Sequence, residues 1–337
     1  MPRSIRNEFD KKLTYNNLML AHNLSKRGKG YRKEIILFDL KKEEYIMWLY
    51  KQLKEEKYKH GGYIEFYVTQ PKLRRIEKSK YIDRIVHRWI VDNFLNEYFT
   101  KTFINTTYAC IKNRGMHKAC IDLQKAMKHC KIIWTEYYIL KMDVKKYFDN
   151  INKDILYKII SKKIQDIKLL KILKQIIYST ENKKGQPIGN YTSQTFANIY
   201  LNELDQYIKN KLKCKYYYRY MDDMVILLEN KETAKIILNK ITIFLEKRLD
   251  LELNSKTQIF KSKQGVNFCG YKINEHRMKI REKGKKKLKK KVKNLTKKIK
   301  NAEITSKEAR MYLCGHLGYI KYANTKNLEE SIFYIAR

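Results

Sequence analysis

Two adjacent acids, Asp222 and Asp223, divide the segment YYYRYMDDMVILLEN at residues 216–230. The aromatic and aliphatic residues on both sides favour β-strand, so the segment predicts a tight hairpin with the acids at its turn. Neighbouring carboxylates repel each other unless a cation neutralises them. Asp also fills turns for purely local reasons. The pair alone therefore predicts a hairpin, and taken by itself it is better explained as two turn residues than as an ion site.

A third acid, Asp143, ends the apolar run YYILKMDV at residues 137–144. If this strand lies beside the hairpin in one sheet, the three carboxylates meet at the rim of that sheet. Carboxylate oxygens are hard ligands that suit Mg²⁺. Two such ions clamp the attacking and leaving oxygens of a phosphoryl transfer. The three acids thus predict a centre for two Mg²⁺ ions, with Mn²⁺ as the alternative.

The charge of the chain indicates the kind of partner it binds. The 337 residues include 74 Lys and Arg against 35 Asp and Glu, which gives a formal net charge of +39. Such an excess favours a polyanion, above all nucleic acid. A membrane surface is disfavoured, because the sequence has no long apolar run and no signal peptide. A lysine-rich composition that only keeps the protein soluble is the remaining alternative.

Helical and strand-like patterns alternate along the chain, which predicts an α+β protein. Residues 1–60 have a charged helical pattern and carry no motif that we can assign. None of the six cysteines has CxxC or zinc-finger spacing, so we expect reduced thiols in a cytoplasmic protein. The expected elements are strands at 62–70, 137–144, 257–260 and 266–273, and helices at 80–100, 152–178, 231–250 and 281–300.

The order of motifs resembles that of reverse transcriptases. VTQPKLRRIEKSKYIDRIVHRWI and YACIKNRGMHKAC are similar to the first two fingers blocks, and LKMDVKKYFDNI is similar to motif A. GQPIGNYTSQTFANIYLNELD resembles motif B, YRYMDDM resembles motif C, and LNSKTQIF and VNFCGYKI resemble the segments that follow. The resemblance implies a right-hand polymerase with an antiparallel palm sheet. It divides the chain into an N-terminal extension at 1–60, fingers at 61–135, a palm at 136–275 with a helical fingers return at 152–182, and a basic helical thumb at 276–337.

The resemblance also assigns roles around the three acids. Asp143 and Asp222 would hold the two metal ions, with Asp223 beside them as the third acid. The backbone of Val144 would add an oxygen ligand. Phe148, five residues after the first acid, would be the steric gate that excludes a ribose 2′-hydroxyl and so selects dNTPs. A plain core aromatic is the alternative for this residue.

Further residues are implied to contact the incoming nucleotide. Arginine forks bind phosphate oxygens in a bidentate way, and lysine contributes a point charge. Arg75 is a neighbour that would share the task, and Lys256 would assist the departing pyrophosphate. The dNTP contacts implied by the resemblance are Lys72, Arg74, Arg114, Phe148, Gln194 and Lys256.

Motif B points to a subfamily. Residues 188–194 read IGNYTSQ, where intron and retroviral relatives resemble QGxxxSP. The pattern IGxxxSQ resembles the reverse transcriptases of diversity-generating retroelements, with Ile188, Gly189 and Ser193 beside the nascent base pair. Such an enzyme copies a template-repeat RNA into cDNA with errors opposite adenines. The implied partners are template RNA, cDNA or primer, dNTPs and a small basic accessory protein, in a cytoplasmic setting and with a bacterial or phage origin.

Two other functions are compatible with parts of this pattern. An antiphage defence reverse transcriptase would share the palm and make cDNA from a noncoding RNA or without a template. A template and variable repeat pair near the gene would favour the retroelement, and IGxxxSQ disfavours a retron or intron enzyme. We expect no nuclease, maturase or RNase H domain. A catalytically silent RNA-binding protein is disfavoured because all three acids are present.

Overall fold

The computed structural model describes residues 4–69 and 73–333. The α-helices in chain order are α1 (Phe9–Lys12), α2 (Tyr15–Lys26), α3 (Lys33–Leu40), α4 (Lys42–Lys54), α5 (Tyr81–Ile90), α6 (Asn96–Phe99), α7 (Met116–Trp134), α8 (Tyr147–Asn150), α9 (Lys153–Ser161), α10 (Ile167–Ile177), α11 (Tyr191–Gln206), α12 (Lys231–Leu249), α13 (Glu282–Lys300), α14 (Ser306–Ile320) and α15 (Lys326–Phe333). The strands are β1 (Tyr63–Val68), β2 (Arg74–Ser79), β3 (Tyr138–Asp143), β4 (Tyr217–Tyr220), β5 (Asp223–Leu228), β6 (Gln258–Lys261), β7 (Val266–Phe268), β8 (Tyr271–Ile273) and β9 (Met278–Ile280).

The chain forms two compact units. The first consists of Met1–Asn105, Val144–Leu212 and Lys240–Ser255. The second consists of Thr106–Asp143, Lys213–Asn239 and Lys256–Arg337. Each unit is built from segments that are distant in sequence, so its core depends on long-range packing.

The first unit is mainly helical. Helix α11 packs against α5 and α9, and α5 also packs against α2. Ile85, Trp89 and Ile90 lie on the buried face of α5 and are fully shielded from solvent, as expected for an amphipathic helix. A π-helical turn at Val91–Leu95 continues α5 into α6, so the predicted helix at 80–100 is present in three pieces. The antiparallel hairpin of β1 and β2 completes this unit.

The second unit contains two antiparallel sheets. One has the strand order β4-β5-β3-β6, and the other has the order β7-β8-β9. Helix α7 and the C-terminal helices add side chains to the same hydrophobic core as these strands. Helix α13 contributes Leu288, Val292 and Leu295, which form one apolar stripe on an otherwise basic helix. The basic residues around that stripe are mostly exposed.

The predicted α+β class with antiparallel sheets is confirmed by these two units. Strand β2 was not expected, because RRIEKS lacks apolar alternation, and it forms through pairing with β1. All six cysteines are free thiols, of which Cys110 and Cys314 are exposed. No helix in the described part of the chain combines the length and the apolar character needed to cross a bilayer.

Candidate active site

Asp143 and Asp223 lie opposite each other on adjoining antiparallel strands. Asp143 is the last residue of β3, Asp223 is the first residue of β5, and the two are register partners. Opposed residues of an antiparallel pair point to the same face of the sheet, about 4.5–5.5 Å apart at Cβ. Strand β3 therefore lies beside the Asp222 hairpin, as the sequence analysis required, and two carboxylates share one edge of the sheet.

The turn between β4 and β5 is very short. Tyr220 pairs with Asp223, so only Met221 and Asp222 connect the strands. Met221 has a left-handed φ of 56°, which a non-glycine residue adopts at an energetic cost. The side chain of Arg219 is fully buried, and its Nη1 donates a hydrogen bond of 3.0 Å to the Met221 carbonyl. This bond holds the tight turn that presents Asp222.

Lys141 supplies a cation to this group of acids. It lies two residues before Asp143 on β3, so both side chains are on the same face. Its Nζ forms an ion pair with the Asp223 carboxylate and lies 5.1 Å from the centre of the Phe268 ring. Burial lowers the pKa of Lys141 to about 8, against the attraction of nearby groups that include Asp143 and Asp222. The cation offsets the repulsion between the clustered acids.

The donor set suits a hard divalent cation in its chemistry. Three carboxylates at one sheet edge are the ligand type that Mg²⁺ and Mn²⁺ prefer. Within residues 4–69 and 73–333, however, no three His, Cys, Asp or Glu side chains converge into a ready-made metal-binding group. The ion pair with Lys141 accounts for part of this, because it engages the Asp223 carboxylate. Asp143 and Asp222 remain the two predicted metal ligands.

Two predicted nucleotide contacts belong to the same unit as the acids. Arg114 is half-buried, and its Nη1 donates a hydrogen bond of 2.8 Å to the Thr107 carbonyl. Thr107 forms a β-bridge with Arg219, so Arg114 is attached to the strand that leads into the acidic turn. Lys256 lies in an exposed turn just before β6.

Other predicted residues belong to the first unit. Arg74 is exposed at the start of β2, whereas the neighbouring Arg75 is held by an ion pair with Glu65. Phe148 is half-buried in α8, and its carbonyl accepts a hydrogen bond of 2.8 Å from the backbone of Gln186. Val144 forms an isolated β-bridge with Leu253. Lys72 lies outside the described residues.

The motif B residues surround the start of α11. Ile188 is half-buried, and Gly189 has a φ of 119°, which L side chains rarely adopt. The backbone conformation therefore favours glycine at position 189, and a Cβ there would come within 3.2 Å of the Ile76 side chain, a tight contact. Ser193 is buried in the first turn of α11, and Gln194 next to it is exposed.

Sequence reasoning did not single out Lys141 and Arg219. Each lies within a strand-like run, where a single cation is normally exposed on the polar face. The only signal is their position, since Lys141 precedes Asp143 by two residues and Arg219 precedes Asp222 by three. Their burial depends on partners elsewhere in the chain, such as Phe268.

Comparison with known proteins supports the resemblance to reverse transcriptases. The family model described as reverse transcriptase (RNA-dependent DNA polymerase) matches residues 59–273. The group II intron-encoded protein LtrA of Lactococcus lactis is 23% identical over 309 residues, covering 70% of this chain and 50% of LtrA. The retron Ec73 reverse transcriptase of Escherichia coli is 27% identical over 169 residues, covering 46% of this chain and 49% of that protein. The chain spans between 17% and 65% of the length of the curated relatives that it matches.

Solved structures with a similar fold include two telomerases. Apo telomerase of Candida tropicalis, truncated from its C-terminal domain, superposes with a TM-score of 0.50 at 15% identity and covers 65% of this chain and 55% of its own. Telomerase of Candida albicans, in complex with a fragment of telomeric RNA, has a TM-score of 0.50 at 12% identity, with 71% and 49% covered. Together with the antiparallel sheets, this likeness confirms the predicted right-hand polymerase fold.

Proposed function

The chain belongs to the reverse transcriptase family, and we propose that it acts as an RNA-directed DNA polymerase. The observation that carries the proposal is the pairing of Asp143 with Asp223 beside the two-residue turn that holds Asp222. Pure RNA binding has no use for carboxylates clustered at one sheet edge, because they repel phosphate. The proposed reaction is attack of a primer 3′-hydroxyl on the α-phosphate of a dNTP. A new phosphodiester bond forms, and pyrophosphate leaves.

The three acids would have different roles in the reaction. Divalent cations, when bound, neutralise charge on the reacting phosphate and favour the ionised 3′-hydroxyl. Asp143 and Asp222 would hold them through carboxylate oxygens, with the Val144 carbonyl as a further ligand. Asp223 would remain paired with Lys141 and keep the sheet edge in place. Arg219 would fix the turn that presents Asp222.

The remaining site residues would select and hold the nucleotide. Arg74, Arg114, Lys72 and Lys256 would contact the triphosphate, because their charges suit phosphate oxygens. The ring of Phe148 would exclude the ribose 2′-hydroxyl. These residues come from the proposed fingers and palm. The basic helix α13, in the proposed thumb, would bind the phosphate backbone of the template and primer.

We further propose that the substrate RNA is the template repeat of a diversity-generating retroelement. The support is the IGxxxSQ sequence at Ile188–Gln194. Selectivity is a difference between transition-state energies. Ile188 and Gln194, set around the α11 start, would leave the nascent pair opposite adenine less tightly shaped. A small basic accessory protein is the expected partner besides the RNA. The alternative role, cDNA synthesis in antiphage defence, would use the same acids.

The test of this assignment is the double variant Ile188→Gln with Gln194→Pro. The QGxxxSP pattern of intron and retroviral relatives has proline at the position of Gln194, so α11 is expected to form in the variant. The expected result is fewer errors opposite template adenines in sequenced cDNA, with total synthesis retained. An unchanged adenine error rate would contradict the role given to motif B. Faithful cDNA from the unaltered enzyme would favour the defence role.

A further inference from the structure

A chain of hydrogen bonds ties the β1–β2 hairpin to the segment that precedes α11. Asn190 Nδ2 donates to Tyr63 Oη at 3.1 Å, and Tyr63 Oη lies 2.5 Å from Ser179 Oγ. Ser179 Oγ also donates to the Ile176 carbonyl at 2.7 Å, so its hydroxyl proton is already used. Tyr63 is therefore the donor to Ser179. We call the bonds from Asn190 through Tyr63 to Ser179 the Tyr63 bridge.

A second contact joins the other strand of the hairpin to the same segment. The Ile76 side chain on β2 lies so close to Gly189 that a Cβ there would approach it to 3.2 Å. Gly189 directly precedes Asn190, so both strands of the hairpin meet the two residues before α11. All of these groups belong to the first compact unit. Each strand of the hairpin therefore makes one contact with this segment: a hydrogen bond from Asn190 to Tyr63 on β1, and close packing of Ile76 on β2 against Gly189.

The surroundings of the Tyr63 bridge are polar and buried. Ser79, the register partner of Tyr63, is fully buried, and so is His87, whose ring stacks on His60 beside Tyr63. Several buried polar atoms have no hydrogen-bond partner within the described part of the chain. They lie near the end of the hairpin where Tyr63 pairs with Ser79, or at the start of α11. They are His60 Nε2, Ser79 Oγ, both ring nitrogens of His87, Asn190 Oδ1, Thr192 Oγ1 and Ser193 Oγ.

Buried polar atoms without partners destabilise a fold, and apolar residues of similar shape would be the more stable choice. The junction between the hairpin and α11 is thus built largely from polar groups, whose hydrogen bonds require one arrangement of the segments that meet there. The hairpin carries Arg74, and the first turn of α11 carries Gln194, both proposed to contact the incoming nucleotide. The Tyr63 bridge joins the end of the hairpin where Tyr63 pairs with Ser79 to the residue before α11, and Arg74 lies at the other end of the same hairpin.

We infer that the Tyr63 bridge positions the nucleotide-binding hairpin relative to the start of α11 and so sets the affinity and selectivity for the incoming dNTP. This inference rests on the proposed polymerase function. Contacts held in place before the substrate arrives bind it more tightly, because less freedom is lost on binding. Tyr63 is a positioning residue, since it acts through Arg74 and Gln194. The three acids belong to the other compact unit, so the chemical step should be spared.

The test is single-nucleotide incorporation by a Tyr63→Phe variant of the full chain. We expect the KM for dNTP to rise by up to about tenfold, the factor reached when the whole contribution of one hydrogen bond is lost from substrate binding. We expect kcat to stay within about twofold, and misincorporation to rise. Tyr67→Phe is the matched control, because Tyr67 is a tyrosine of the same strand and is 64% exposed. It should behave as the unaltered enzyme.

Two further measurements separate this role from a merely structural one. Ser179→Ala should raise the KM similarly, and adding it to Tyr63→Phe should change little more, because the bonds act as one unit. Hydrogen exchange at residues 63–68 should quicken in Tyr63→Phe but not in Tyr67→Phe, with no substrate present. A lower melting temperature with unchanged KM would overturn the inference, and so would unchanged exchange. If the unaltered protein makes no DNA but the exchange result holds, the proposed function fails and the positional role of the bridge stands.

Discussion

Lys141 and Asp223 form an ion pair on the strand face that also carries Asp143. The lysine side chain is 19% exposed and the aspartate side chain is 31% exposed. A cation in this position offsets the repulsion between the carboxylates of Asp143 and Asp223, which are register partners on adjoining strands. The pair therefore stabilises the acidic edge of the sheet before any metal ion binds.

Replacing Lys141 with Met should destabilise the protein by about 2 kcal/mol, because it leaves Asp223 without its counter-charge. The loss should be smaller than for a fully buried pair, since Asp223 is partly exposed. Added Mg²⁺ should raise the melting temperature of the variant more than that of the unaltered protein, because the ion replaces the missing charge. Thermal unfolding with and without Mg²⁺ measures both effects.

Lys261→Met is the matched control for this experiment. Lys261 is on the neighbouring strand β6, pairs with Glu136 at 3.1 Å and is 44% exposed. An exposed pair contributes about 0–1 kcal/mol. Its loss should alter neither the stability nor the Mg²⁺ response by more than that. An equal Mg²⁺ response in both variants would contradict the role of Lys141.

Replacing Phe148 with Ala should admit ribonucleotides. The half-buried ring stands in the position where the family resemblance sets the steric gate. Without the ring, discrimination between dNTP and rNTP should fall by about tenfold or more, because the excluded hydroxyl gains space. The ratio of kcat/KM for the two nucleotides measures this. An unchanged ratio would identify Phe148 as a plain core aromatic.

Four lysines on the exposed side of α13 test the role of the basic helix. Lys286, Lys290, Lys293 and Lys297 lie opposite the buried stripe of Leu288 and Val292. Changing these four lysines to Gln should weaken RNA–DNA binding for all sequences. It should also reduce the slope of log K against log salt by about 3 to 4, close to one per lost phosphate contact.

The matched control removes the same charge elsewhere. Lys41, Lys42, Lys51 and Lys54 belong to α4 or precede it directly, and Lys41 and Lys42 already face Glu44 and Glu43. Changing these four lysines to Gln lowers the net charge by the same amount as the α13 variant does. The slope of log K against log salt should nevertheless stay unchanged. If both sets lower the slope to the same extent, α13 has no special role and the effect is due to net charge.

The burial of His87 predicts a pH dependence of stability. Burial lowers its pKa to about 3, from 6.5 for an ordinary histidine, and repulsion from His60 adds to the effect. Between these two values the unfolded chain binds a proton that the folded chain does not, so stability falls as pH drops below 6.5. From pH 7 to pH 5 this one residue should cost about 2 kcal/mol.

The measurement is the unfolding free energy at pH 7 and at pH 5 for His87→Gln and for the unaltered protein. The variant should lose about 2 kcal/mol less over this range, whatever its stability at pH 7. His276→Gln, at an exposed position, is the control and should keep the original pH dependence. A pH dependence unaffected by loss of His87 would show that another group is responsible.

Local patterns were enough to predict the acidic hairpin, the strand that ends at Asp143 and the basic helix α13. In each case the signal lies within about twenty residues, as an alternation, an apolar stripe or a turn between strands. The sequence did not predict that β3 and β5 are neighbours in the sheet, because strand order depends on contacts between residues far apart in sequence. We could only say what would follow if they were neighbours. The structure meets that condition through the pairing of Asp143 with Asp223.

The features that the sequence did not reveal are those made by long-range contacts. Tyr63 meets Ser179 and Asn190 across 116 and 127 positions, and nothing in GYIEFYV marks the first tyrosine as different from the second. Lys141 is buried against Phe268, which also comes from a distant strand. Such residues break the local rule that cations and hydroxyls face solvent.

The most direct test of the account is primer extension on a mixed-sequence RNA with dNTPs and Mg²⁺, beside an Asp222→Asn variant, with the cDNA sequenced. Removing one carboxylate charge from the turn should abolish synthesis while RNA binding persists, because binding depends on the basic surfaces. The account predicts cDNA from the unaltered protein with errors concentrated opposite template adenines, and none from the variant. Equal cDNA yields from both proteins would contradict it.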